Sequence, residues 1–263
     1  MNKIPEFSIV TVCFNSEKTI KKTIESVLQQ EFKDYEYIIV DGASKDGTMD
    51  VVKNYEDKFE GRLRYISEPD KGIYDAFNKG IRMSKGKYVW IVNSDDYIAP
   101  DALQNLADFI ESNDWDTLPV ISGGLNFVSM TGNLISTNIP TGNGLERAYK
   151  NDYIGVPHPA TLVPKEIYDK YGVFDIYYKI IGDADWFHRV YGAGERFVFV
   201  DFVIANMSDG GISNQFNYSR SLRDRLYYLR KFYSNPFVRF IHWLKWTKSF
   251  YIQKYLHYRK KHE

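Results

Sequence analysis

A single cysteine in 263 residues, Cys13, excludes an internal disulfide framework and any cysteine-built zinc site. It lies in an apolar stretch and reads as an inert buried thiol. No apolar run of 18 residues occurs, and Met1-Asn2-Lys3-Ile4-Pro5 leads into a strand pattern rather than a signal peptide. A reducing, cytoplasmic setting is therefore the expectation. Neither Gly-x-Gly-x-x-Gly nor Gly-x-x-x-x-Gly-Lys is present, so dinucleotide and P-loop binding find no support. Net charge is also lacking, with 34 Lys+Arg against 34 Asp+Glu.

That neutrality averages two opposite parts. Residues 220–263 hold 12 basic and 2 acidic side chains, leaving 22 basic and 32 acidic in the other 219. A body at −10 argues against a nucleic-acid partner. The same tail carries 12 aromatics, among them Trp243, Trp246, Phe250 and Tyr251. At 44% apolar residues the chain can bury one large domain with an appendage.

Strands are expected at Phe7–Phe14, Tyr35–Val40, Leu63–Ser67 and Tyr88–Val92, alternating with helices. Ser16 suits an N-cap ahead of Ile20, Ile24, Val27 and Leu28 at helical spacing, and Ile73–Met83 reads as another helix. Such alternation with short connections means a doubly wound, right-handed parallel sheet with helices on both faces. Beyond Pro100 the spacing predicts a helix at Asp101–Glu111, then a hairpin of Val120–Val128 and Asn133–Ile139, which makes the sheet mixed. Thr141–Pro159 reads as a loop over a site. Helices at Lys165–Tyr171 and Asp183–Tyr191, a strand at Arg196–Ala205 and basic helices from Tyr218 complete the pattern.

Every strand of the first half ends on polar groups: Asn15, Asp41, the run Glu68-Pro69-Asp70-Lys71-Gly72, and Asp95-Asp96. In a parallel sheet these ends converge on one edge, where open α/β sheets bind ligands. Adjacent carboxylates repel unless a cation relieves them, and Mg²⁺ takes one or two carboxylates together with phosphate oxygens. A nucleotide diphosphate could thus be held with its base against Phe14 and polar contacts from Asn15 and Asp41. Each of these residues also has an ordinary explanation as a turn former. Asp183 and Asp185, at a helix start, read either as macrodipole partners or as a general base for an acceptor hydroxyl. His158, between two prolines, reads as a metal ligand or a substrate contact, although a lone loop histidine is more often neither.

Taken in order, Val12-Cys13-Phe14-Asn15, Val40-Asp41-Gly42-Ala43-Ser44-Lys45-Asp46-Gly47-Thr48, Glu68–Asp75 and Asn93-Ser94-Asp95-Asp96 resemble the motifs of inverting family-2 glycosyltransferases with the GT-A fold. The resemblance extends to His158-Pro159-Ala160-Thr161, Tyr171–Asp175, Ile181-Gly182-Asp183 and Gly210-Gly211-Ile212-Ser213. It implies a Rossmann-like sheet in a catalytic domain at 1–217, with a nucleotide-sugar half to about 99 and an acceptor half to 217. A basic, aromatic helical extension then occupies 218–263.

By the same resemblance, Val12, Phe14, Asn15, Asp41, Asp70, Lys71, Asp75 and Asp95 would hold the nucleotide-sugar, and Asp95 and Asp96 a Mn²⁺ or Mg²⁺ ion. Asp183 would be the catalytic base, with His158, Asp185 and Trp186 near the acceptor. UDP is the implied nucleotide. The acceptor would be a glycan or an undecaprenyl-diphosphate-linked sugar of bacterial surface polysaccharide. Two positions depart from the family pattern: Gly42 stands where many members carry a uracil-contacting Asp, and Asn93 where many carry Asp.

The tail is read physically. Phe237, Ile241, Leu244, Tyr251, Tyr255 and Tyr258 recur at helical spacing among Arg239, Lys245, Lys248 and Lys254, which suits an anionic membrane surface at residues 235–263. Its alternative is a helix packed on the body. A peripheral position on the inner face of the cell membrane follows from the first. A nucleotidyltransferase would want a Gly-rich basic loop after the first strand, and Phe14-Asn15-Ser16-Glu17 is not one. An inactive sugar-binding relative would not need Asp95, Asp96 and Asp183 together.

Overall fold

Seven consecutive buried residues form β1, Phe7–Cys13, and seven more form β2, Tyr35–Asp41. Strands covered on both faces carry continuous apolar runs, so these are the centre of the sheet. The computed structural model describes residues 3–152, 155–209 and 218–262. β3 (Leu63–Ser67) pairs parallel to β2, and β4 (Tyr88–Ile91) parallel to β1. The chain then reverses. β8 (Thr161–Pro164) runs antiparallel to β4 and to β6 (Val120–Val128), which lies parallel to β9 (Phe197–Ser208). The two-residue β5 (Tyr97–Ile98) closes one edge on β9, and β7 (Leu134–Asn138) pairs with β6 as the expected hairpin. Among the described residues the sheet has nine strands in the order β3-β2-β1-β4-β8-β6-β9-β5, with β7 beside β6.

Side-chain alternation divides the core in two. Ile9, Tyr37 and Trp90 face α1 (Ile20–Leu28), α2 (Thr48–Lys53) and α4 (Ala102–Glu111). Val10, Ile38 and Ile91 face α3 (Ile73–Met83), α6 (Lys165–Tyr171) and α7 (Gly182–Gly192). Helix α3 approaches β1 closely at Gly80, where a Cβ would enter the Val10 side chain. Gly172, at φ 74°, closes α6 as its position in the sequence predicts.

Some boundaries differ from expectation. Helix α1 starts at Ile20 with Thr19 at its N-cap; Ser16 instead accepts the N–H groups of Thr19 and Ile20 through its carbonyl. The loop expected at Thr141–Pro159 contains α5 (Gly142–Tyr149), capped by the Thr141 hydroxyl accepting from Gly144 N. The Gly210–Ser213 motif lies outside the described residues.

The tail forms α8 (Tyr218–Phe232) and α9 (Pro236–His262). The domain boundary expected at 217/218 falls beside α8, yet Tyr228 and Leu229 of that helix are buried in the second core. Among the described residues no helix is long and apolar enough to cross a membrane.

Candidate active site

Parallel register brings the strand ends together: Cys13 pairs with Asp41, and Asp41 with Ser67. Just past β1, Phe14 leaves the core and is 61% exposed, so its ring faces solvent at the sheet edge. Val12 is buried in the second core and can offer only its main chain to a ligand. Asn15 is exposed at the same edge, and its side-chain Oδ1 accepts Lys45 N at 2.9 Å. Asp41 is fully buried. Its carboxylate accepts from the Ser44 main chain and hydroxyl and from Ser67 Oγ at 2.6 Å, and so shapes the loop after β2. Of these two expected ligand contacts, Asp41 is buried within the loop it shapes, while Asn15 stays exposed at the strand end.

Gly42 sits against Phe14 and Asp70. A Cβ placed there would lie 2.5 Å from Asp70 Oδ2 and 3.3 Å from Phe14 Cδ2. Asp70 therefore fills the space that a side chain at 42 would need. Its Oδ1 accepts Gly72 N at 2.8 Å, while Asp75 accepts Lys71 N at 3.0 Å, which folds residues 70–75 into a turn at the start of α3. Lys71 itself is exposed.

The acidic pair lies on a turn pinned from three sides. Thr23 Oγ1 of α1 donates to Asp96 O at 2.6 Å, and Ser208 Oγ of β9 to Asp95 O at 2.6 Å. Ser16 and Ser94 hydroxyls meet at 2.8 Å. Asp96 is 2% exposed; it accepts Ser208 N at 3.0 Å and Asn93 Nδ2 at 3.2 Å. Burial pushes both carboxyls above the usual range, and the neighbouring Asp95 charge raises that of Asp96 further. Among the described residues, Asn93 Oδ1 is buried with no hydrogen-bond partner. Two carboxylates with raised affinity for a proton and an orphaned oxygen beside them form a donor set that a hard divalent cation would satisfy. Among the described residues no group of three His, Cys, Asp or Glu comes together.

Asp183, in the first turn of α7, has different surroundings. It accepts Ala184 N at 2.9 Å, and the Tyr74 hydroxyl, donating to Ile180 O at 2.6 Å, lies 3.3 Å from Oδ1. Burial pushes its carboxyl up to about 6, and the Ala184 N–H and Tyr74 moderate that rise. Asp185 is fully buried and neutralised by Arg189 at 3.1 Å and Lys231 at 2.7 Å. Trp186 is fully buried too and donates to Gly172 O. Neither has surface to offer an acceptor, which corrects the expectation for both. Burial pushes His158 down to about 4, and its ring packs on Phe77 at 5.1 Å, so it serves as a neutral aromatic in the packing of the second core. Tyr74, Asn93 and Ser208 were not among the site residues expected from sequence.

An exposed aromatic platform, an acidic turn and a separate raised carboxylate beside a mixed sheet define a GT-A transferase. The chain matches the model of glycosyl transferase family 2 over residues 8–172 and belongs to that family. It is 25% identical over 215 residues to the PGL/p-HBAD biosynthesis glycosyltransferase of Mycobacterium tuberculosis, covering 80% of each chain. It is 30% identical over 123 residues to the poly(ribitol-phosphate) beta-N-acetylglucosaminyltransferase TarS of Staphylococcus aureus, 46% of this chain and 22% of that one. The solved structure of TarS 1-349 with UDP-GlcNAc superposes with a TM-score of 0.67 at 20% identity, over 85% of this chain and 65% of that one. A mannosyltransferase from Pyrobaculum calidifontis, solved with GDP-Man and Mn²⁺, gives 0.63 at 16% identity over 88% and 64%. The chain thus spans just under two thirds of these two solved chains. The protein is a glycosyltransferase.

Proposed function

We propose that the protein transfers a sugar from a nucleoside-diphosphate sugar, UDP-linked by preference, to a hydroxyl of a cell-surface glycan or its lipid-linked precursor, with inversion. The observation that carries this reading is the contrast between Asp183 and Asp185. One carboxylate is quenched by two cations, while the other meets only neutral donors and holds its proton to about pH 6. A group poised near the working pH is what proton abstraction requires. Asp183 takes the proton of the acceptor hydroxyl as its oxygen bonds to the anomeric carbon, and the bond from that carbon to the nucleoside diphosphate breaks. A single displacement inverts the centre.

Phe14 supplies a face for the base, and Asp70 of the 70–75 turn lies beside it across Gly42. Asp95, Asp96 and Asn93 would hold Mn²⁺ or Mg²⁺. When bound, such an ion supplies Lewis-acid neutralisation of the departing diphosphate. The TarS complex with UDP-GlcNAc supports the UDP donor, and the Mn²⁺-bound mannosyltransferase supports the cation. The relatives' names support the surface-glycan acceptor. Helix α9 supports a peripheral site at an anionic inner membrane, where lipid-linked acceptors would be met.

Calorimetric titration with UDP, GDP, CDP and dTDP, each with and without Mn²⁺, tests the reading. UDP binding that needs the cation is the expected result. Absence of binding by all four would overturn the donor assignment.

A further inference from the structure

Helix α8 lies beyond the residues that match the family model, yet it reaches the turn that leads to Asp183. Asp224, on α8, is fully buried. One of its carboxylate oxygens accepts the main-chain N–H groups of both Lys179 and Ile180, each at 2.7 Å. The other accepts Arg223 Nη2 at 3.0 Å. Helix α7 begins at Gly182, two residues after Ile180, and Asp183 follows.

The same turn is held from the other side. Tyr74 of α3 donates to Ile180 O at 2.6 Å and lies 3.3 Å from the Asp183 carboxylate. The Lys179 ammonium donates to Lys71 O at 2.7 Å, in the turn at residues 70–75. One short segment therefore joins α8, α3, the donor-side turn and Asp183. Burying a carboxylate is costly unless donors to its charged form repay the lost water. Two N–H groups converging on one oxygen repay it, and they fix two successive peptide planes. An apolar residue at 224 would fill the space but leave both N–H groups unpaired.

We propose that Asp224 is a positioning residue for transfer: it orients the 179–180 peptides that aim Asp183 at the acceptor hydroxyl, making α8 part of the catalytic centre. The proposal rests on Asp183 being the base. Its test uses the full chain, with kcat and the UDP dissociation constant measured for Asp224→Asn, Asp224→Ala, Asp224→Ser and Asp183→Asn. Misaiming a reacting group by an ångström costs on the order of 10²-fold, so Asp224→Ala should lose that much kcat with UDP affinity unchanged. Asp224→Asn keeps an oxygen that accepts both N–H groups and should retain most turnover. Asp224→Ser, too short to reach the turn, gives the same reading should the alanine variant not fold.

A role confined to stability predicts a lower melting temperature with kcat of the folded enzyme unchanged; that result overturns the proposal. So does an Asp224→Ala loss that adds in full to Asp183→Asn, because a residue acting through Asp183 has little left to do once that carboxylate is gone. Near-normal turnover by Asp183→Asn alone would instead refute the base assignment, and with it the positioning role of Asp224 that rests on it.

Discussion

Asp183 carries opposite consequences for activity and for stability. Its carboxyl is raised to about 6 by burial, so the folded protein binds this proton more tightly than the unfolded chain does. The associated stability is fully present below the unfolded value near 3.8 and is lost as pH rises through about 6. At pH 8 the ionised carboxylate is a cost, and Asp183→Asn should raise the melting temperature, by roughly 1–2 kcal/mol of unfolding free energy. The same change should lower kcat by about 10²–10⁴-fold with nucleotide affinity intact. Turnover of the parent enzyme should climb from acid pH with a midpoint near 6. A pH–rate profile flat across 5 to 7 would remove the base assignment. For the acidic turn, Asp96→Asn preserves shape and should abolish the Mn²⁺-dependent part of UDP binding; equal affinity with and without the substitution would exclude the cation role. Much of this site is legible in the sequence because adjacent carboxylates at strand and helix ends are local signals. Tyr74 and Ser208 are not local: they meet Asp183 and Asp96 across 109 and 112 residues, and only the completed sheet pairs them. Asn15 and Asp41 show the converse, since a residue type that suits a ligand equally suits the turn it sits in.

Helix α3 illustrates what an element owes to one residue. Its hydrophobic face repeats at 3.6 and its span is read correctly from sequence as Ile73–Met83. Gly80, in mid-helix, weakens the helix by about 1 kcal/mol relative to alanine. The packing explains its presence, because a Cβ there would overlap Val10 of β1. Gly80→Ala should therefore be net destabilising despite better propensity, since overpacking costs about 1–3 kcal/mol. Urea denaturation would show a lower midpoint at unchanged slope; a higher midpoint would mean the strand yields. Such shifts would be transmitted toward the site through Tyr74, which sits on the same helix. The strongly periodic elements α1, α3, β1 and β2 were readable. Helix α5 was not, because Gly142 and Gly144 are poor helix formers and only Leu145 is buried. The two-residue β5 and the four-residue β8 are too short for any period to register.

At the scale of the whole molecule, the charge polarity seen in the sequence becomes a surface. The inner side of α9 is docked: Trp243 packs on the second core, and Trp246 and Phe250 meet Tyr218 of α8. Its outer side leaves Phe237, Phe240, Leu244, Tyr251, Ile252 and Tyr255 exposed. At 3.6 residues per turn these fall within an arc of about 120°, a stripe roughly 30 Å long. A helix apolar on two opposite sides explains why the tail reads as either packed or membrane-facing from sequence. Pairing with a second copy would oppose like charges, because α9 contains seven Lys and Arg and no acidic residue. An anionic bilayer meets both features: tyrosine and phenylalanine at the interface, ammonium groups on the headgroups. Exposed Lys245 and Lys248 can be neutralised without disturbing the docked side, whereas deleting the helix would strip Trp243 from the core. Lys245→Gln with Lys248→Gln should weaken binding to phosphatidylserine vesicles about 30-fold, at about 1 kcal/mol per charge, and leave turnover on a soluble acceptor unchanged. Tyr251→Ser with Tyr255→Ser should weaken it further and independently of salt. Binding that ignores both pairs, or that is equal on zwitterionic vesicles, would mean that this stripe meets something other than an anionic membrane.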